Sequence, residues 1–318
     1  MISPFLVTRM PGGIGNQLFS LFASRYLAQE TGHRNYLDFG GIDYSHHEEK
    51  YDISEFLLNS SEIAFEQKGR KSLYAKSIKV LHNIKLQLGK RSIPVARFLK
   101  LYECGLEPLD SVNVSQVIDE ISNRKLLSIF PSISGYFPDF SFFDNLKNPQ
   151  DKVLEVENAS EAFLSLKHFL STNGVLGVHV RLKDFLLHPH TIGNLSDNYF
   201  FNSIGTAIES QIYDEVWVFS DSPMDAFSRL SGMEIGLRFR FIGIDHSLTP
   251  CEELSLLQNC SGMVCSNSTF SYWAAKLMSE RDSSSRIYIP SSFRKDEKTR
   301  IHGLPPTWNI CPVDWIDI

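Results

Sequence analysis

Four short segments carry residue types that can handle a phosphate or a sugar. The first is Gly12-Gly13-Ile14-Gly15-Asn16-Gln17. Glycines let a backbone turn tightly and bring a ligand close to a helix start. The Asn16 and Gln17 amides add donors and acceptors suited to a sugar or a phosphate. The second is His179-Val180-Arg181-Leu182-Lys183-Asp184-Phe185. Strand geometry predicts His179 and Arg181 on one face. An arginine supplies the planar, permanently charged fork that a diphosphate requires. Asp184 is placed to orient Arg181 or Lys183, or to accept from a loop amide. The third runs from Cys265 to Ala275 and holds the cluster Ser266-Asn267-Ser268-Thr269-Phe270. Such residues cap a helix N-terminus, and with free backbone N–H groups they also form an anion site. Phe270, Tyr272 and Trp273 read as helix packing. The fourth, Phe219-Ser220-Asp221-Ser222, offers Asp221 as an acceptor for a nucleotide base or ribose, or as part of a helix cap. Each segment alone also reads as plain architecture: a tight turn, an Arg–Asp pair, a capped helix.

Neither common nucleotide motif fits. A dinucleotide fingerprint needs a third glycine where Leu18 stands, and the GKS or GKT end of a P-loop is missing. His46-His47-Glu48-Glu49 resembles a metal set only superficially, because adjacent histidines do not share a helix face as in HExxH. His188-Pro189-His190 reads as a loop near an acceptor.

These segments need elements to hold them. Phe5–Arg9 is a short apolar run. From 16 to 30, apolar residues at Leu18, Phe19, Phe22, Ala23, Tyr26 and Leu27 mark one helix face, and Gly32 follows as a stop. Strand, glycine loop and helix open a parallel α/β sheet. A mildly basic stretch over 62–104 reads as helical, and Tyr136-Phe137-Pro138-Asp139-Phe140 as an aromatic turn. In the second half, strands are expected at 175–181, 215–220, 238–243, 262–266 and 286–289. Helices are expected at 197–212, 223–230, 251–258 and 268–278. That alternation predicts a doubly wound parallel sheet, with ligands at the strands' carboxyl ends. Three of the polar segments fall on such ends.

The 318 residues suit two domains of roughly 150 each, with the boundary expected near 150–165. Hydrophobic residues at 42% and charged residues at 21% are ordinary for a globular protein. The net charge of −6 argues against nucleic acid as a partner. Five cysteines without a CxxC pair predict free thiols. The N-terminus lacks a signal-peptide pattern, and no apolar run approaches the roughly 18 residues of a spanning helix. A cytoplasmic protein, peripheral to an inner membrane at most, is expected, with a bacterial source.

Taken in order, the segments resemble glycosyltransferase family 11, the α-1,2-fucosyltransferases. The family's G-G-x-G-N-Q-x-F opening is matched by residues 12–19, and its H-x-R-x-x-D by His179, Arg181 and Asp184. Its F-S-D is matched by Phe219-Ser220-Asp221, and its S-N-S-x-F-S-x-W-A-A by residues 266–275. Pro305-Pro306-Thr307-Trp308 is similar to the family's ending. Residues 40–160 add little.

The resemblance implies an α/β fold of GT-B type, two facing Rossmann-like domains with parallel sheets. Residues 1–160 would form the acceptor side and residues 161–318 the GDP-sugar domain. It implies an inverting galactoside α-1,2-fucosyltransferase. Such an enzyme moves L-fucose from GDP-β-L-fucose to a galactose, terminal or internal, of a surface glycan such as an O-antigen. No metal or further cofactor is implied. Arg181 would hold the β-phosphate. His179, Asp221, Asn267, Ser268, Thr269 and Phe270 would line the nucleotide. Gly15 and Asn16 lie in the glycine loop, with Asn16 facing the donor–acceptor cleft. Arg181, Asp184 and Asn16 are the catalytic candidates. Asp38, Asp43, Glu48 and Asp184 are equal candidates for a general base. One departure stands out: family members often carry a second arginine where this chain has Leu182. A GT-B transferase with another nucleotide sugar, a non-catalytic nucleotide-sugar or glycan-binding module, and a dinucleotide oxidoreductase are the alternatives.

Overall fold

The structure is a computed structural model that describes residues 5–10, 12–39, 53–57, 63–65, 132–183, 185, 188–297 and 300–316. The chain divides into two compact units, residues 1–154 and 155–318.

The described part of the N-terminal unit is a parallel sheet with a long helix. Strand β1 (Phe5–Arg9) leads into α1 (Ile14–Thr31), which returns to β2 (Arg34–Asp38). Strands β3 (Ile63–Phe65) and β4 (Ser132–Ser134) complete the sheet in the order β3-β2-β1-β4. All three pairings are parallel. Helix α1 ends at Gly32, whose φ of 71° lets its N–H return to the Ala28 carbonyl. The expected apolar stripe is too narrow a description of α1. It also buries Ser20, Ser24 and Arg25, the last by donating to the Asp151 carbonyl. The core combines Leu6, Ala23, Leu27, Ile133, Phe137 and Phe142. Burying each of its larger side chains contributes about 1.5–3 kcal/mol.

The C-terminal unit begins with α2 (Glu161–Leu170) and continues with β5 (Val175–Val180), α3 (Asp197–Ser210) and β6 (Glu215–Ser220). Helix α4 (Pro223–Leu230), β7 (Arg238–Phe241), α5 (Pro250–Asn259), β8 (Gly262–Val264), α6 (Thr269–Arg281), β9 (Arg286–Pro290) and β10 (Asn309–Cys311) follow. The sheet order is β10-β9-β8-β5-β6-β7, parallel throughout. Strands β5 and β6 are buried along their whole length, so both faces are covered. That explains why their sequences read as continuous apolar runs. Helix α5 lies tight on β5. A Cβ at Gly177 would come within 2.8 Å of the Leu257 side chain. The start of α5 is fixed by a capping box between Thr249 and Glu252, and Glu252 also accepts the Ser160 N–H at 2.7 Å.

Most expected elements of this unit are present, with local differences. The strand expected over 238–243 ends at Phe241 and passes directly into a helical turn at Ile242–Asp245. Helix α2, which opens the unit, and the edge strand β10 were not anticipated. In the N-terminal unit, the helix expected over 62–104 is replaced at its start by β3. The rest of that stretch lies outside the described residues. The four described cysteines, Cys251, Cys260, Cys265 and Cys311, are free thiols. Among the described residues, no helix is long and apolar enough to cross a membrane.

Candidate active site

The larger sheet changes direction between β5 and β8. From β5 the chain builds outward through β6 and β7, then crosses back to place β8, β9 and β10 on the other side. The carboxyl ends of β5 and β8 lie at this switch point, where open α/β sheets form the crevice that takes ligands. Three of the four polar segments meet around it.

His179, near the end of β5, spans the crevice. Its Nδ1 lies 2.7 Å from the Ser266 hydroxyl, just beyond β8. The ring stacks on Phe270, with centroids 5.2 Å apart and planes at 28°. Burial, and secondarily the Arg181 charge, lower its pKa to about 3, so the imidazole is neutral. Arg181 engages the opposite neighbour. Its Nε is 3.2 Å from Asp221 Oδ2, at the end of β6. His179 and Arg181 thus reach the two strands that flank β5, and the Arg181 charge is felt at the His179 ring. Strand β5 ends at Val180, and beyond it the pleat no longer sets side-chain direction.

Asp221 does more than face Arg181. It accepts the backbone N–H of Leu182 at 2.9 Å and that of Lys183 at 3.1 Å. One carboxylate therefore fixes the guanidinium and the loop that carries it. The sequence reading of Asp221 as an acceptor or a helix cap did not include this role. Leu182 packs into the hydrophobic core at 4% exposure. Asp184 lies outside the described residues.

Beyond β8, the cluster forms the capped start of α6. The Ser268 hydroxyl accepts the Phe270 N–H, and the Ser271 hydroxyl donates to the Ser266 and Ser268 carbonyls, both at 3.0 Å. Thr269 and Phe270 are half-buried. Asn267, expected to line the nucleotide, is 1% exposed and gives its amide N–H to the Gly193 carbonyl at 3.1 Å. It holds the loop before α3 and has no surface to offer a ligand.

The glycine loop leaves β1 in the N-terminal unit. Gly12 has φ 56°, a conformation that favours glycine. Gln17 is fully buried. It donates to the Gly12 carbonyl at 2.8 Å and accepts the Ile53 N–H at 3.1 Å. Its amide staples the loop and is not a ligand group, a correction to the sequence reading. Gly15 is buried in the first turn of α1, while Asn16 is half-buried. Asp38 ends β2; Asp43 and Glu48 lie outside the described residues.

Sequence reasoning passed over two residues. Glu253, in the first turn of α5, lies within electrostatic reach of Asp221. Burial, that carboxylate and Glu252 push its carboxyl up to about 8. The capping box accounts for Glu252 and leaves Glu253 unexplained, which is the signal the sequence held. Tyr136 was recognised only as part of an aromatic turn, yet it is 40% exposed beside the glycine loop.

The parallel α/β architecture in two units is that of the GT-B fold class. The model of glycosyl transferase family 11 matches residues 125–300, more than half of the chain, and the protein belongs to that family. No curated protein matches it by sequence. Two solved structures are similar in fold. One is a point mutant of Arabidopsis thaliana FUT1 in complex with GDP, at TM-score 0.53 and 14% identity; the match covers 98% of this chain and 73% of that one. The other is POFUT1 in complex with GDP-fucose, at TM-score 0.53 and 15% identity; coverage is 89% of this chain and 97% of that one.

Proposed function

We propose that the protein is an inverting fucosyltransferase that takes L-fucose from GDP-β-L-fucose and forms an α-1,2 linkage to a galactose of a surface glycan, such as an O-antigen repeat. The observation that carries this reading is Arg181, held by Asp221 at the mouth of the β5–β8 crevice. Family membership supports glycosyl transfer, and the two similar folds, solved with GDP and GDP-fucose, support the donor.

The chemistry follows from charge. As the acceptor oxygen attacks the anomeric carbon, negative charge grows on the departing diphosphate. Donors already aimed at that charge lower the barrier without reorganising. The guanidinium, positioned by Asp221, brings a permanent positive charge to the strand ends, and the start of α6 adds the positive end of a helix dipole. His179 stays neutral, so it orients Ser266 and Phe270 without competing for the phosphates. In this reading no metal is required. Asn16 acts from the glycine loop, and Asp184 is a candidate base for the acceptor hydroxyl.

Calorimetric titration with GDP and with UDP in EDTA tests the donor. The expected result is tight GDP binding without metal and none for UDP. Binding of UDP alone, or only with a divalent cation, sends the donor to another nucleotide sugar. Incubation with GDP-fucose and a galactoside then tests transfer. GDP binding without any turnover favours a non-catalytic binding module.

A further inference from the structure

We infer that Tyr136, bordered by Gly12 and Asn16, is the stacking platform of a sugar subsite on the N-terminal unit, where the pyranose ring of a galactoside acceptor rests. This inference rests on the glycosyl-transfer reading and adds a residue that recognises the acceptor.

A single exposed aromatic side chain is ordinary and needs no explanation. The setting of Tyr136 is not ordinary. Strands β1 and β4 are parallel neighbours, with Arg9 opposite Ser134. Their carboxyl ends therefore release the glycine loop and Tyr136 side by side. The residues around Tyr136 are anchored. The Gly135 carbonyl accepts the buried Ser20 hydroxyl at 3.1 Å. Phe137 is fully buried, edge-on to Phe142 with centroids 6.4 Å apart. Asp139 accepts the Ser141 N–H at 2.8 Å, capping the turn that follows. The chain thus holds a 40% exposed ring on a fixed backbone between buried neighbours.

Gly12 brings the loop backbone close to that ring. A Cβ there would lie 3.0 Å from Asn16 Nδ2, 3.5 Å from the Tyr136 hydroxyl and 3.7 Å from Tyr136 Cε1. The ring edge and the amide therefore both border Gly12. Residues 12–17 and 135–137 contain no charged group. A neutral sugar suits that setting, because one face of a galactopyranose is a patch of C–H bonds that packs on an aromatic ring. Its rim of hydroxyls takes amide and phenol hydrogen bonds. Few polar groups beside an apolar wall is the usual composition of a small-ligand subsite.

The test uses the full chain, with lactose as the probe. Saturation-transfer NMR of lactose and initial rates with GDP-fucose are recorded for wild type, Tyr136→Ala, Tyr136→Phe and Arg181→Ala. Tyr136→Ala is expected to raise the lactose KM about tenfold or more, the equivalent of about 1.4 kcal/mol. Its GDP affinity should stay within about twofold of wild type, which also reports an intact fold. Tyr136→Phe keeps the ring and should keep lactose binding. Arg181→Ala should lose transfer but retain the lactose signal. Unchanged lactose binding by Tyr136→Ala, or an equal loss of GDP binding, overturns the subsite, as does a wild type that gives no lactose signal. A wild type that binds lactose through Tyr136 yet transfers no fucose leaves the subsite standing and removes the donor assignment instead.

Discussion

The strand ends of the two units solve different binding problems. In the C-terminal unit, the crevice is charged and cross-tied. Arg181 is locked by Asp221, His179 by Ser266 and Phe270, and the start of α6 by Ser268 and Ser271. In the N-terminal unit, the loop over 12–17 carries no charge. It is held by a buried Gln17 amide, and the exposed Tyr136 ring lies beside it. The difference suits one ligand of high charge and one of none. A diphosphate leaving group must meet fixed charge, because donors that reorganise during reaction lose their advantage. A neutral sugar is held by shape, an aromatic face and a few amides.

Arg181→Ala tests the charged side most severely. Transfer should fall about 100–1,000-fold or more, the range for losing one donor to a developing anion, with the thermal midpoint little changed. An active Arg181→Ala enzyme would break the contrast, because the crevice would then not work by charge. Asp221→Asn should be milder. Arg181 keeps its charge but loses its anchor, and the loop loses an anionic acceptor. A drop of about 10–100-fold in kcat is expected, about 1.4–2.8 kcal/mol of barrier. If Asp221→Asn matched Arg181→Ala, Asp221 would be a direct participant and not a positioning residue.

Gly12→Ala probes the neutral side. The residue sits at φ 56°, and an added Cβ would press on Asn16. A stability loss of about 1–2 kcal/mol is expected from the backbone conformation. The acceptor KM should rise while GDP affinity stays level. A change in GDP affinity instead would show that the two strand ends are not separable by ligand.

The smallest expected effects are in pH dependence, and two of them come from the C-terminal strand ends. For His179, the unfolded chain takes up a proton as pH falls below about 6.5, while the folded chain resists until about 3. Stability therefore falls with falling pH across that window. For Glu253 the sign is reversed. Between 4.5 and about 8 the unfolded carboxyl has lost a proton that the folded one keeps, so stability falls as pH rises. Thermal melts across pH should show His179→Gln flattening the acid side and Glu253→Gln flattening the neutral side, each by a few degrees. Unaltered slopes in either variant would mean that residue is not buried beside the charges named here.

Much of the C-terminal unit was legible before its structure. Runs such as residues 215–220 can only be strands buried on both faces, and Pro223, Thr249 and Ser268 announce helix starts locally. The N-terminal unit was harder to read. Strands β3 and β4 are three residues each, and their partners lie far away in sequence. So short a segment carries too little periodicity to declare itself. The site divided the same way. The sequence marked His179, Arg181 and the cluster around Ser268 by residue type and position. It could not say that Asp221 belongs to Arg181, that Asn267 faces a loop carbonyl, or that Gln17 is a staple.

By itself, then, the sequence determined the alternation of strands and helices, the positions of the chemical groups at strand ends and the family. These depend on local periodicity and on residue type. The tertiary structure alone decided which groups meet. The parallel order that sets β5 between β8 and β6 brings Ser266 to His179 and Asp221 to Arg181. The pairing of β1 with β4 puts Tyr136 beside Gly12 across more than a hundred residues of chain. Those neighbours are set by long-range strand pairing, and no local window of sequence contains them.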